Sequence, residues 1–202
     1  MSGDAANPTL LLVTGNPGKL AEARRLAGRP LEAVDLDLPE IQSLDLEETL
    51  RAKAATAFAA VGRPLVVEET GLELAAMNGF PGPLVRWMLE AIGAEGIARA
   101  ARALGDGRAR AVCLLGWTDG EQVVVGRGET AGELVLPARG ERGFGWDPVF
   151  RPDGETRTYG ELADREKDAL SHRGRAWRDL LSRLEFVPLL PGERPEKGTG
   201  NN

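Results

Sequence analysis

The chain contains 202 residues, a length that suits one large domain or two closely joined lobes. Hydrophobic residues make up 42% of it, which is enough for a folded core and argues against global disorder. The net charge of −6 argues against a nucleic-acid-binding protein that relies on a basic surface, although a nucleotide can still bind at a locally basic site. One histidine and one cysteine disfavour a transition-metal site and leave a hard cation with oxygen ligands open.

The sequence also carries expectations about the compartment. Its first residues lack the basic and apolar regions of a secretory signal. No apolar run approaches the about 20 residues that span a bilayer. The single cysteine, Cys113, lies in an apolar run and is predicted to be a small core residue in a reducing compartment. We therefore expect a cytoplasmic protein with no membrane and no nucleic-acid partner.

Hydrophobic periodicity predicts strands and helices in alternation along the first part of the chain. The predicted strands lie at residues 9–14, 31–38 and 64–67. The predicted helices lie at residues 20–26, from Asp45 to Gly62, and at 84–92 and 94–104, where Gly93 separates the last two. A hairpin at 109–117 and 122–125, a strand at 132–136 and a helix capped by Ser171 follow.

This order of elements predicts an α/β fold with a mixed sheet. Three regions are expected along the chain. Residues 1–8 form a flexible N-terminus, residues 9–187 form a single domain, and residues 188–202 form a tail rich in Pro, Gly and charge that is expected to be disordered.

Two stretches in the second half have the residue types of a nucleotide site. Residues 143–148 alternate two glycines with Phe144 and Trp146, so that a flat ligand can approach the backbone and a base can stack, which is worth about 1–3 kcal/mol per base. Residues 171–173, Ser-His-Arg, open a helix whose free N–H groups attract anions. Taken alone, these residues favour a packed turn and a surface histidine over a base site.

Charged residues in the first half indicate a second group of candidates. The turn at residues 15–19, which ends in Lys19, has the form of a phosphate cradle but lacks the spacing and hydroxyl of a Walker A loop. Glu68 and Glu69 follow an apolar strand, and either a divalent cation or exposure to solvent would compensate their charges. Glu40 follows the strand predicted at 31–38. Lys53 lies off the apolar stripe of its helix and is by default a solvated surface lysine.

Five motifs together resemble the inosine triphosphate pyrophosphatase family, whose members hydrolyse ITP, dITP and XTP to the monophosphate and pyrophosphate. They match the family in order and spacing, and they lie at residues 14–19, 67–72, 78–83, 143–148 and 171–173. The resemblance spans residues 9–186. It implies an elongated, twisted mixed β-sheet flanked by helices, two lobes with the active-site cleft between them, and a homodimer that acts on purine nucleoside triphosphates.

The resemblance also implies roles by matching positions. Catalysis falls to Glu69 as general base, aided by Lys19. Residues expected to hold the triphosphate are Thr14, Asn16, Lys19 and Lys53. Residues expected to bind Mg²⁺ are Glu40, Glu68 and Glu69. Residues expected to contact the nucleoside or close over the substrate are Thr70, Phe144, Gly145, Trp146, Asp147, Lys167, Ser171, His172 and Arg173.

One position departs from the family, which usually has Asp where this chain has Glu69. The departure motivates an alternative, a catalytically impaired nucleotide-binding homologue. A second alternative, a related pyrophosphatase acting on modified pyrimidine nucleotides, conflicts with the motifs at 143–148 and 171–173. Selectivity is expected to depend on donors, from Arg173 or backbone N–H groups, that face the 6-oxygen of the purine. The element that excludes GTP is not evident from the sequence.

Overall fold

The computed structural model describes residues 9–185 of the chain. The expected flexible N-terminus at 1–8 and the expected disordered tail at 188–202 lie outside the described residues, as do residues 186 and 187 of the expected domain at 9–187. That domain boundary stays a prediction.

Within residues 9–185, seven strands form one mixed sheet. They are β1 (Leu10–Val13), β2 (Leu31–Val34), β3 (Leu65–Leu74), β4 (Pro81–Gly82), β5 (Arg108–Thr118), β6 (Val123–Leu134) and β7 (Phe150–Pro152). The order is β2-β1-β3-β5-β6-β7, with β4 paired to β3. Strand β1 is parallel to β2 and β3, and the remaining pairs are antiparallel. The mixed α/β fold predicted from the sequence is therefore confirmed.

Several predicted strand boundaries were wrong. The strand predicted at 31–38 ends at Val34, so Glu40 lies in the segment that follows and not at a strand end. The strand predicted at 64–67 continues to Leu74 and carries Glu68 and Glu69 in its interior. The runs at 122–125 and 132–136 belong to the single strand β6. Polar residues and glycines interrupt the apolar pattern in both strands, although antiparallel pairing continues through them.

In the described part of the chain, five α-helices flank the sheet. They are α1 (Pro17–Leu26), α2 (Leu46–Val61), α3 (Val85–Ala103), α4 (Asp164–Leu170) and α5 (His172–Leu184). The predicted break at Gly93 is confirmed, because its backbone (φ 68°, ψ 174°) is not helical. The side chains of Asn16, Asp45 and Ser171 cap α1, α2 and α5, which satisfies backbone N–H groups of their first turns. Within residues 9–185, no helix is long and apolar enough to cross a membrane.

The two faces of the sheet are covered by different helices. Helices α1 and α5 pack on one face, where Val66 and Leu115 lie in a core with Trp177. Helix α2 packs on the other face, where Val67 and Leu114 lie in a second core around Leu50. A third core joins both ends of α3 to β3, β5, β6 and β7. Cys113 is buried as predicted.

Close approach of α5 to β6 positions the Ser-His-Arg segment. A Cβ added at Gly128 of β6 would come within 2.1 Å of the carbonyl oxygen of His172, and one at Gly126 would come within 2.5 Å of Leu180. Glycine at these positions therefore allows α5 to lie directly on β6. The Arg173 side chain in its first turn reaches Glu68 on β3. The two lobes and the cleft expected from the family resemblance stay a prediction.

Candidate active site

The start of α1 forms a capped turn that presents a lysine. The hydroxyl of Thr14 accepts a hydrogen bond from the backbone N–H of Asn16 (3.1 Å), and Asn16 Oδ1 accepts one from the N–H of Lys19 (3.0 Å). The Lys19 ammonium lies 3.3 Å from Glu68 on β3. A helix N-terminus with an adjacent ammonium attracts anions, so this turn is suited to a phosphate group.

Glu68 is the centre of a buried charge network. Its carboxylate accepts hydrogen bonds from Arg173 Nε and Nη2 (3.0–3.2 Å) and from the hydroxyl of Thr70 (3.0 Å). Burial alone raises the pKa of Glu68, but the charges of Arg173 and Lys19 and the hydrogen bonds outweigh it and lower the pKa to about 2. Glu68 is therefore an anion at neutral pH, held by side chains from α1, β3 and α5.

Glu22 of α1 belongs to the same network, and sequence reasoning missed it. This buried carboxylate accepts hydrogen bonds from Lys167 Nζ (2.6 Å) and from Arg173. Burial raises the pKa of Glu22, but the charges of Arg173 and Lys167 outweigh burial and lower it. A signal was present in the sequence, because residues three apart on a helix are neighbours and Glu22 lies three residues after Lys19.

On the opposite face of β3, Lys53 joins two carboxylates. Its ammonium is 2.8 Å from Glu69 Oε1 and 3.0 Å from Glu40 Oε1. The Lys53 side chain is 16% exposed, so the default prediction of a solvated surface lysine was wrong. Burial lowers the pKa of Lys53, but the two carboxylates outweigh burial and raise it.

Strand geometry divides the three carboxylates predicted to bind Mg²⁺. Successive side chains on a strand point to opposite faces, so Glu68 lies on the α1 and α5 side and Glu69 on the α2 side. They are 2% and 8% exposed, which excludes the alternative of a solvated strand end. Among residues 9–185, no group of three or more acidic, histidine or cysteine side chains is arranged to hold a metal.

Glu40 and Glu69 nevertheless have the chemistry that Mg²⁺ requires. Both direct a carboxylate oxygen towards the same point, the Lys53 ammonium. Mg²⁺ usually binds through one or two carboxylates together with substrate phosphates and water, so two converging carboxylates fit it. Glu68 does not fit equally well, because Arg173, Thr70 and Lys19 already engage its oxygens.

The loop at residues 143–148 is a tight turn closed by Asp147. Gly143 and Gly145 have positive φ angles (75° and 63°), and Asp147 Oδ2 accepts a hydrogen bond from the N–H of Phe144 (2.7 Å) and another from Lys167 (2.6 Å). Burial raises the pKa of Asp147, and the Lys167 charge partly offsets the effect. The turn fixes the ring of Phe144.

The half-buried ring of Phe144 lies beside cations and against the start of α1. Lys167 Nζ and the Arg173 guanidinium are each 5.2 Å from the ring centroid. A Cβ added at Gly18 would come within 2.4 Å of the ring, so the ring packs directly on this glycine. One side of the Phe144 ring therefore rests on the turn at the start of α1, so the expected base-stacking residue and the expected phosphate-binding turn are adjacent.

A cavity of about 290 Å³ opens beside this ring. It is lined by residues from all the predicted motifs but one, among them Lys19, Thr70, Phe144, Trp146 and His172, and by Leu89 of α3. Its volume is at the lower end of the range of about 300–1,000 Å³ that small-molecule sites occupy. A larger cavity of about 860 Å³ lies near Met77 and Phe80 and contains none of the predicted site residues.

The two residues before Arg173 have different roles in the structure. The hydroxyl of Ser171 accepts a hydrogen bond from the N–H of Gly174 (3.1 Å), which confirms it as the helix cap. His172 is fully buried, and burial, followed by the charges of Arg173 and Lys167, lowers its pKa well below the usual 6.5. Its neutral ring has no hydrogen-bond partner within the part of the chain that the structure describes. It can therefore donate one hydrogen bond to a ligand and accept another.

Comparison with known proteins identifies the family. The profile of the Ham1 family matches residues 10–183. The chain belongs to the Ham1 family. This result confirms the resemblance drawn from the five motifs.

Curated relatives of this Ham1 chain have named activities. A dITP/XTP pyrophosphatase of Methanopyrus kandleri is 40% identical over 171 residues, which cover 83% of this chain and 91% of that protein. An inosine triphosphate pyrophosphatase of Aspergillus oryzae is 41% identical over 177 residues, covering 86% and 91%. An inosine triphosphate pyrophosphatase of Schizosaccharomyces pombe is 39% identical over 181 residues, covering 88% and 95%.

Solved Ham1 structures share the fold. A HAM1 protein from Coxiella burnetii superimposes with a TM-score of 0.76 at 27% identity, covering 89% of this chain and 99% of that chain. The Ham1 protein of Staphylococcus aureus gives a TM-score of 0.73 at 27% identity, covering 88% and 98%. The mixed sheet with flanking helices is thus a property of the family.

Proposed function

We propose that this Ham1 chain is a hydrolase that converts the non-standard purine nucleotides ITP, dITP and XTP to the monophosphate and pyrophosphate. The observation that carries the proposal is the direct contact between an aromatic base platform at Phe144 and a phosphate-binding turn at Lys19. The named activities of three relatives at about 40% identity support the same reaction. Its effect is to remove these nucleotides from the pool used for nucleic-acid synthesis.

The charged side chains supply what attack of water at the α-phosphorus needs. Lys19 and Lys53 bind the triphosphate and offset its charge, which also stabilises the leaving pyrophosphate. The carboxylate of Glu69 accepts the proton of the attacking water, whose oxygen becomes part of the monophosphate. Mg²⁺, held by Glu40 and Glu69 with the substrate phosphates, would supply further charge neutralisation.

The surroundings of Phe144 support selection at the purine 6-position. Arg173 directs Nε, Nη1 and Nη2 to Glu22 and Glu68, so these donors are already engaged. We therefore assign the donor to the base to another residue. A base stacked on Phe144 lies beside Lys167 and Arg173, whose charges buried carboxylates already balance, so selection of the 6-oxygen of ITP and XTP over the amino group of ATP needs a separate donor. The ring of His172, which has no hydrogen-bond partner among residues 9–185, supplies an N–H donor to that oxygen.

A substrate panel tests the proposal. Pyrophosphate release is measured with Mg²⁺ for ITP, dITP, XTP, GTP, ATP and a modified pyrimidine nucleoside triphosphate. The account predicts that ITP, dITP and XTP have the highest kcat/KM, by factors of up to about 10⁴ over ATP. Binding of ITP without pyrophosphate release would instead identify an impaired homologue, and preference for the pyrimidine substrate would identify a different pyrophosphatase.

We further propose that the enzyme works in the cytoplasm as a homodimer. Supporting the dimer, Leu44 and Phe80 are 67% and 44% exposed and line the cavity of about 860 Å³, away from the base platform. Apolar side chains clustered at such a surface favour a protein contact. Light scattering of the purified protein should give twice the chain mass of 21.6 kDa, and cell fractionation tests the compartment.

A further inference from the structure

Lys53 has an unusual position for a residue expected to hold phosphate. Its ammonium lies between Glu40 and Glu69, the two carboxylates whose geometry fits Mg²⁺. The three side chains come from different elements, α2, the segment after β2, and β3. The Glu69 side chain is even less exposed than that of Lys53 (11% and 16%), so water screens the attraction between these two groups only weakly.

The charges at this point limit how strongly a free cation can bind. Two carboxylates alone carry a charge of −2, and the ammonium reduces the local charge to −1. A divalent ion that approaches Glu40 and Glu69 is repelled by Lys53 and must displace its two hydrogen bonds. Lys53 can leave the carboxylates at a low free-energy cost only when another anion accepts hydrogen bonds from its three N–H groups. A triphosphate is such an anion.

We propose that Lys53 is an internal counter-cation that competes with the metal ion for Glu40 and Glu69, so that Mg²⁺ binds weakly to the nucleotide-free chain and strongly together with the triphosphate. The inference rests on the proposed function, because it takes Glu40 and Glu69 as the residues that would hold Mg²⁺. By linkage, the nucleotide raises the affinity for Mg²⁺ by the same factor by which Mg²⁺ raises the affinity for the nucleotide.

The decisive test measures metal binding without nucleotide. Calorimetric titration with Mg²⁺ is carried out on the parent chain, on Lys53→Gln and on Arg51→Gln. Arg51 is the matched control, because it lies on the same helix and, among residues 9–185, pairs only with Glu47 on the surface (2.7 Å). Lys53→Gln should bind Mg²⁺ more tightly than the parent by about 5- to 150-fold, the usual range of coupling between two ligands that bind one protein.

Three results would overturn the proposal. The first is an Mg²⁺ affinity of Lys53→Gln equal to or below that of the parent. The second is an equal gain in Mg²⁺ affinity in Arg51→Gln. The third is a gain in Mg²⁺ affinity that survives when Glu40→Gln is added to Lys53→Gln. Because the assay needs no turnover, a chain that fails to hydrolyse ITP can still show the effect. Failure of the proposed function and failure of this inference are therefore distinguishable.

A measurement on the parent chain covers the case in which Lys53→Gln does not fold. The side-chain ammonium signals of lysine are followed by NMR while Mg²⁺ is added to saturation. The Lys53 signal should shift as its two carboxylates are taken by the ion. An unchanged Lys53 signal at saturating Mg²⁺ would contradict the competition.

Discussion

Replacing Glu68 by glutamine tests the buried network most severely. The change removes the carboxylate that Arg173, Lys19 and Thr70 share, while the shape of the side chain is kept. Arg173 is then left with Glu22 as its only carboxylate contact among the described residues. Breaking one side of a buried ion pair destabilises a protein by about 3–5 kcal/mol, because the remaining charge stays buried.

The pH dependence gives an independent magnitude. The pKa of Glu68 is about 2 in the folded chain, against an ordinary value of 4.5. A depressed carboxyl pKa stabilises the fold fully above the unfolded value, here by about 3 kcal/mol, and the contribution is lost as the pH falls from 4.5 to about 2. Both routes therefore predict a loss of roughly 3 kcal/mol or more for Glu68→Gln at neutral pH.

Urea unfolding at pH 7 and at several pH values below 4.5, together with thermal unfolding at pH 7, measures this effect. Each kcal/mol changes the Tm of a domain of this size by about 2–4 °C, so Glu68→Gln should melt about 6–20 °C below the parent. Glu32→Gln is the control, because Glu32 pairs with Arg63 on the exposed surface (2.9 Å) and should change stability by at most about 1 kcal/mol. A free energy of unfolding of Glu68→Gln within about 1 kcal/mol of that of the parent would refute the reasoning, because a difference of that size is about the uncertainty of such measurements.

Three further predictions concern the reaction. Gly18→Ala places a Cβ within 2.4 Å of the Phe144 ring and should raise KM for ITP by about 5- to 150-fold, equivalent to about 1–3 kcal/mol of lost stacking, with a smaller change in kcat; an unchanged KM would contradict the base platform. Glu69→Gln should lower kcat by about 10²–10⁴ while ITP binding survives, and near-normal turnover would move the base to another residue. Excess EDTA should abolish hydrolysis and added Mg²⁺ should restore it, whereas undiminished turnover would contradict the role of Glu40 and Glu69.

Local patterns were sufficient for much of the fold. The caps at Asp45 and Ser171, the break at Gly93 and the hairpin turn near Asp119 depend on neighbouring residues alone, and each is found in the structure. Buried apolar runs predicted β1 and the first part of β3 for the same reason. The family motifs also predicted Lys19, Phe144 and His172 as site residues, and all three line one cavity.

The rest required tertiary information. Strand β3 carries ionised groups through the interior of the sheet, which an apolar pattern cannot predict, because Arg173 and Lys53 arrive from distant helices. Once β3 is extended through residue 69, the period of two places Glu68 and Glu69 on opposite faces. Glu22 acquires its role only because α1 and α5 pack on the same face of the sheet.

Hydrolysis of ITP in ¹⁸O-labelled water tests the central claim most directly. If the charged groups around Lys19, Lys53 and Glu69 direct water to the α-phosphorus, the label appears in the monophosphate and the unlabelled product is pyrophosphate. Mass spectrometry of the two products reads the outcome. Label in pyrophosphate alone, or release of inorganic phosphate with the diphosphate, would contradict the proposed reaction.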